Sequence, residues 1–238
     1  MRSDDLEHIV PDLVRCDEAT GDESLRLHIE RYEFAQRHLL AGSVLDLACG
    51  SGYGTSILAQ AKGIESAMGV DISELAVVYA KERYGSPKVT FACSNAMDFR
   101  HGVLFETVVS LETVEHLDNP RLVFRHLISL VAPGGRFIVS APITPSVDAN
   151  PYHAVNFSER AFLQLGTENG LVELDRMYQV QHYSPMAVLK RSEHRMQSLR
   201  RNLALFYLSH PYHLALRVAS VLRCGHVNRY LTVAWKRT

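Results

Sequence analysis

Val44-Leu45-Asp46-Leu47-Ala48-Cys49-Gly50-Ser51-Gly52-Tyr53-Gly54-Thr55 is the stretch that decides the fold. Val44, Leu45 and Leu47 form the short apolar run expected of a strand buried in a parallel sheet. Gly50, Gly52 and Gly54 follow at once. Glycine permits φ > 0 and lets backbone approach a ligand with no Cβ in the way. From Thr55 the pattern turns helical, with Ile57, Leu58, Ala59 and Ala61 on an apolar face. A strand, a glycine turn and a helix start make a nucleotide-binding corner.

The spacing narrows the nucleotide. A dinucleotide fingerprint G-x-G-x-x-G would need glycine at 55, where this chain has Thr55. A phosphate-binding P-loop needs Gly-Lys-Ser/Thr, which does not follow. Asp46 precedes the turn, and a carboxylate there repels an arriving pyrophosphate. It suits a cationic ligand, either by orienting the turn or by meeting an ammonium directly or through water. S-adenosylmethionine carries a sulfonium and an α-amino group and no phosphate.

With that run in place, the chain resembles the class I S-adenosylmethionine-dependent methyltransferases, of the type acting on small-molecule or sugar hydroxyls. The resemblance covers roughly residues 28–180, and the turn Pro133-Gly134-Gly135-Arg136-Phe137 is a further match. It implies an α/β fold: a Rossmann-like, doubly wound, seven-stranded sheet with the last strand antiparallel. It implies S-adenosyl-L-methionine as cofactor, held by Asp46, Ala48, Gly50, Gly52 and Tyr53 of the first motif. Asp71 ends the second strand, 25 residues after Asp46, where a carboxylate accepts from both ribose hydroxyls; a helix N-cap is the alternative. Ile72 would pack on the adenine face. In the family the loop after the third strand reads the adenine edge, here through the Asn95 side chain and the backbone N–H of Ala96 or Met97. The backbone at Leu111 and the side chains of Glu112 and His116 follow the fourth strand and line the methyl-transfer site. The helix Leu25–Leu40 closes over the cofactor in the family. Arg31 on it is the candidate for the methionine carboxylate, against the plainer reading of a surface arginine.

Composition bounds the rest. The chain has 238 residues, net charge −1 and 47% hydrophobic residues, which suits one soluble α/β domain with an added cap. The four cysteines are scattered without a C-x-x-C pair, which argues against a zinc cluster or a disulfide framework. No leader and no bilayer-spanning run is evident, so a cytoplasmic protein without a membrane span is expected. Nucleic acid is disfavoured, because the basic segment lacks an aromatic stacking stripe. No metal site is expected either, since Asp118 and Asp148 stand alone.

Four segments are expected. Residues 1–24 are an acidic arm, 25–183 the cofactor-binding core, 184–226 a helical cap broken at Pro185, Pro211 and Gly225, and 227–238 the final strand. If the sixth strand runs parallel to the first five, the cap lies on the active-site face, with a role in the substrate or in a homodimer. Eight bases between 190 and 229 are read as a solvated face, or as a surface for an anionic acceptor.

For the chemistry, an alcohol acceptor must lose a proton, and histidine is the usual base near neutral pH. His153, in Asn150-Pro151-Tyr152-His153-Ala154-Val155-Asn156-Phe157-Ser158, is the candidate base, with His116 nearer the cofactor. That phrase resembles one in methyltransferases acting on hydroxyls of sugars and other small molecules. The alternative is that His153 only shapes the pocket. The expected function is O-methylation of a sugar or sugar-bearing metabolite. C- or N-methylation of a small aromatic or amine stays open, as does a non-catalytic cofactor-binding subunit.

Overall fold

The computed structural model describes residues 19–190 and 199–238. Seven strands make one sheet: β1 (Gly42–Leu47), β2 (Ile64–Asp71), β3 (Val89–Cys93), β4 (Phe105–Ser110), β5 (Val131–Pro142), β6 (Val172–His182) and β7 (Val227–Lys236). Their spatial order is β3-β2-β1-β4-β5-β7-β6. β1 to β5 are mutually parallel. β7 runs antiparallel to both β5 and β6, so β6 points the same way as the first five. This is the expected doubly wound sheet with its last strand reversed. The strand order turns back between β1 and β4, and ligands of open α/β sheets bind at such a switch point.

Alternation along β1 assigns its side chains to two cores. Val44 faces the layer of α1 (Ala19–Arg37), α2 (Tyr53–Ala59) and α3 (Glu74–Tyr84), with Tyr32, Phe34, Leu58, Val77 and Ala80. Leu45 and Leu47 face α4 (Pro120–Ser129) and α5 (Glu159–Glu168), with Phe124, Leu127, Phe162 and Leu165. Val44, Leu45 and Leu47 are all fully buried. Trp235 of β7 anchors the second core, its ring 5.8 Å from both Phe124 and Phe162 and 6.0 Å from Phe137.

Three expectations shift. The first helix begins at Ala19 rather than Leu25, so residues 19–24 belong to it and not to an arm. Asp22 in its first turn interacts favourably with the helix dipole, which no apolar period reveals. The remainder of the expected acidic arm lies outside the described residues. Pro133-Gly134, expected as a turn, sits inside β5; Phe105 pairs with Val131 and Thr107 with Arg136, so these residues are a bulge in the strand. Pro185 and Pro211 start helices rather than break them, opening α6 (Pro185–Lys190) and α8 (Pro211–Cys224) around α7 (Leu203–Ser209). Proline lacks only an N–H that the first helical turn leaves unpaired anyway. These helices form the cap between β6 and β7. Among the described residues no helix is long and apolar enough to cross a membrane.

Candidate active site

A cavity of about 680 Å³ opens over the carboxyl ends of β1, β2, β4 and β5. Its wall runs from Ala48, Gly50 and Asp71 past Leu111 and Glu112 to Leu203 and Tyr207 of the cap. Two non-glycine residues described here have positive φ, Ala48 at 68° and Glu112 at 52°, and both line it. They terminate the neighbouring strands β1 and β4. Such left-handed positions are costly and cluster where a ligand dictates the backbone path.

Asp71 is 5% exposed, and each of its oxygens holds a backbone N–H: Gly50 at 2.8 Å and Ser73 at 2.9 Å. Ser73, not Asp71, caps α3, accepting from Ala76. The carboxylate is thus fixed on the cavity wall. Asp46 takes the orienting part of its expected role. It is fully buried and outside the cavity wall, accepting from Thr55 Oγ1 at 2.7 Å and from the Tyr32 hydroxyl at 3.3 Å. It ties β1 to α1 and α2 and presents no surface to the cavity. Burial raises its pKa to about 7, against hydrogen bonds from Thr55 and Tyr32 that lower it.

The glycines divide their work. Gly50 lines the cavity, whereas Gly52 does not. At Gly52 (φ +83°) a Cβ would stand 2.6 Å from Ala80 Cβ and 2.7 Å from the Phe91 ring. Gly52 therefore serves packing of the turn against α3 and β3. Met97 also leaves the expected set. Its N–H donates to Asn95 Oδ1 at 2.8 Å in a local turn, and it lies outside the wall; Asn95 and Ala96 remain on it, as do Tyr53 and Ile72.

Arg31 is 1% exposed, not a surface residue. Its guanidinium lies 4.4 Å over the Tyr230 ring, and its Nε lies 3.9 Å from Glu112 Oε1 without a hydrogen-bond acceptor. It lines the cavity with an unmet donor, which fits a ligand carboxylate. Glu112 is held by Ser140, whose Oγ accepts its N–H at 2.9 Å and donates to its Oε1 at 2.7 Å.

His116 and His153 meet although 37 positions separate them, their rings 4.7 Å apart and edge to face. The loop after β5 is pinned to the loop after β4: Ala154 and Val155 N–H both donate to the Glu115 carbonyl, at 2.8 and 3.1 Å. His153 Nδ1 pairs with Ser146 Oγ at 2.7 Å, and His116 Nδ1 with the Tyr152 carbonyl at 3.2 Å. Burial, aided by the charge of His116, pushes the His153 pKa down to about 3. Glu115 was not among the expected site residues. It is 1% exposed, and burial first and Glu112 second push its carboxyl well above the usual range. Its only sequence signal was its place beside His116 after a strand.

Two bases of the basic segment, Arg200 and Arg217, serve the fold. Arg217 of α8 forms a two-pronged pair with Asp148, at 2.7 Å to each oxygen, and donates to the Pro145 carbonyl. Arg200 donates to the carbonyls of Val147 and Asp148. Arg191 and Arg195 lie outside the described residues.

Comparison with known proteins meets this geometry at the same strands. Residues 45–139 match the family model described as a methyltransferase domain. The matched segment runs from β1 through β5 and holds most of the cavity wall on the cofactor side. The chain is 32% identical over 132 residues to a probable S-adenosylmethionine-dependent methyltransferase of Mycolicibacterium smegmatis, covering 49% of this chain and 47% of that protein. It is 29% identical over 96 residues to the mitochondrial ubiquinone biosynthesis O-methyltransferase of Saccharomyces cerevisiae, covering 38% and 30%. The chain spans half or less of the length of these curated relatives. The YcgJ protein of Bacillus subtilis shares the fold, with a TM-score of 0.66 at 14% identity over 88% of this chain and 99% of that one. The domain match and the relatives' names support a methyltransferase domain that uses S-adenosylmethionine.

Proposed function

We propose that this protein is an enzyme transferring the methyl group of S-adenosyl-L-methionine to a hydroxyl of a small acceptor, a sugar or sugar-bearing metabolite. One observation carries the reading: a single cavity joins the fixed carboxylate of Asp71 to the Glu115–His116–His153 cluster beneath the cap. Asp71 would take the ribose hydroxyls, Asn95 and Ala96 the adenine edge, and Arg31 the methionine carboxylate. Asn150, Tyr183, Tyr207 and Asn228 line the far end and supply the hydrogen-bonding groups a polyhydroxylated acceptor needs. The O-methyltransferase name of the yeast relative supports an oxygen acceptor.

Transfer is an in-line displacement. The acceptor oxygen forms a bond to the methyl carbon, the carbon–sulfur bond breaks, S-adenosylhomocysteine leaves with its sulfur neutral, and the hydroxyl proton passes to water. The protein supplies approach and desolvation. An efficient base has a pKa near the working pH. The depressed pKa of His153 therefore argues against its acting alone as base.

The test pairs calorimetry with labelled-methyl transfer to a panel of sugars and glycosides. S-adenosylhomocysteine should bind, Asp71→Ala should weaken it about tenfold or more, consistent with loss of a charged hydrogen-bond acceptor, and label should appear on an oxygen. Tight binding of NAD or ATP with none of S-adenosylhomocysteine would overturn the reading.

A further inference from the structure

Glu115, His116 and His153 place one carboxylate and two imidazoles together, their ligating atoms within 4.8 Å of one another. We propose that this triad binds one divalent first-row transition-metal ion, such as Mn²⁺, Co²⁺ or Zn²⁺, at the acceptor end of the cavity.

Three observations carry this. First, both oxygens of Glu115 are buried without a hydrogen-bond partner. A buried carboxylate without a partner is costly, and a coordinated cation is one of the few groups that offsets the cost. Second, each histidine has its other ring nitrogen engaged. The Tyr152 carbonyl can only accept, so His116 Nδ1 carries the proton and Nε2 the lone pair. Ser146 Oγ engages His153 Nδ1 at 2.7 Å, and as acceptor it leaves the lone pair on Nε2. Metal-bound imidazoles are oriented by just such outer hydrogen bonds, which fix the tautomer. Third, the two loops are locked to each other by the paired N–H groups of Ala154 and Val155 on the Glu115 carbonyl. The ligands therefore sit on a shared, pre-set backbone.

The donor set selects the ion. Two imidazole nitrogens and one carboxylate oxygen suit first-row divalent metals and leave coordination positions open. Metal–ligand distances of about 2.1 Å require donors that stand up to 4.8 Å apart to draw in by roughly two thirds of an ångström or more each. Neighbouring charge is balanced: Arg31, which opposes a cation, already faces Glu112 at 3.9 Å. The expectation of no metal considered Asp118 and Asp148. Asp148 is committed to Arg217, and the candidate ligands are other residues.

Binding of the ion stands apart from the proposed function; its use rests on it. In methyl transfer an acceptor hydroxyl would occupy an open position, and the ion would lower its hold on the proton. His153 then serves as ligand rather than base.

The test uses the full chain after treatment with a chelator. Co²⁺ is titrated by its visible absorption, Mn²⁺ by electron paramagnetic resonance, and Zn²⁺ by competition, with S-adenosylhomocysteine affinity measured on the same samples. One ion per chain is expected, with affinity falling about 10–100-fold in both His153→Ala and Glu115→Gln while S-adenosylhomocysteine still binds. Glu115→Gln preserves shape, so it reports on ligation if His153→Ala perturbs the fold. A chain that binds S-adenosylhomocysteine but none of the three ions overturns the proposal, as does saturable binding that both substitutions leave unchanged. Ion binding without S-adenosylhomocysteine binding would sink the methyltransferase reading and leave the metal site standing.

Discussion

At the scale of single residues, Asp46 shows how a motif position can serve the turn rather than the ligand. Its carboxyl is fully buried between β1, Thr55 and Tyr32, and burial raises its pKa from 3.8 to about 7. The folded chain thus holds this proton more tightly than the unfolded chain. Its contribution to stability is complete below the unfolded pKa and is lost as pH rises through the folded one. Wild type should lose stability relative to Asp46→Asn between about pH 4 and pH 7 and level off above that. A shift of this size corresponds to a few kcal/mol, on the order of 1.4 kcal/mol per unit. Urea unfolding of both proteins across that range checks it, and a constant difference would mean that Asp46 is ionised throughout. The motif itself made Asp46, Gly50 and Asp71 legible, because strand-end position and residue type carry the information. Which glycine meets ligand and which meets Phe91 was not legible, because the contact of Gly52 comes from a strand almost 40 residues away.

At the scale of elements, the cap is latched onto the loop that carries His153. Asp148 is fully buried in that loop and receives Arg217 of α8 and the hydroxyl of Tyr207 of α7, the latter at 2.6 Å. Burial pushes the Asp148 carboxyl up, but the hydrogen bonds and charge of Arg217 outweigh it and hold it below its ordinary value. Removing one member of a buried pair strands the other, at about 3–5 kcal/mol. Arg217→Met should therefore release the cap rather than leave a lone buried charge. Hydrogen exchange should accelerate across Pro211–Cys224 with little change in β1–β5, and uniform protection would refute the latch. Helical pattern was readable in this segment, and its prolines were visible as boundaries. The latch was not, since Asp148 looks isolated in a chain where its partner lies 69 residues on.

At the scale of the whole molecule, the cap is an insertion between two paired strands. His182 pairs with Val227, so the chain leaves and re-enters the sheet at adjacent positions. Replacing residues 184–226 by a short turn should leave a folded seven-stranded sheet, because a short connection costs little closure entropy. Binding of S-adenosylhomocysteine should survive, since Asp71, Gly50 and Asn95 lie outside the insert, while methyl transfer should be lost. Circular dichroism, calorimetry and labelled-methyl transfer on that one variant separate these outcomes, and full transfer activity without the cap would show that it plays no part in holding the acceptor.

The sequence by itself determined the strand, the glycine turn and the acid at the tip of the second strand, and with them the fold class and the kind of nucleoside. Those features are local: short-range sterics and period-two or period-3.6 burial act within a dozen residues. Only the tertiary structure decided what stands opposite the cofactor. Glu115, His116 and His153 meet because two separate strands end side by side, and Asp148 is neutralised because α8 folds back onto the loop after β5. Long-range pairings of that sort arise from packing two layers against one sheet, and no spacing along the chain encodes them.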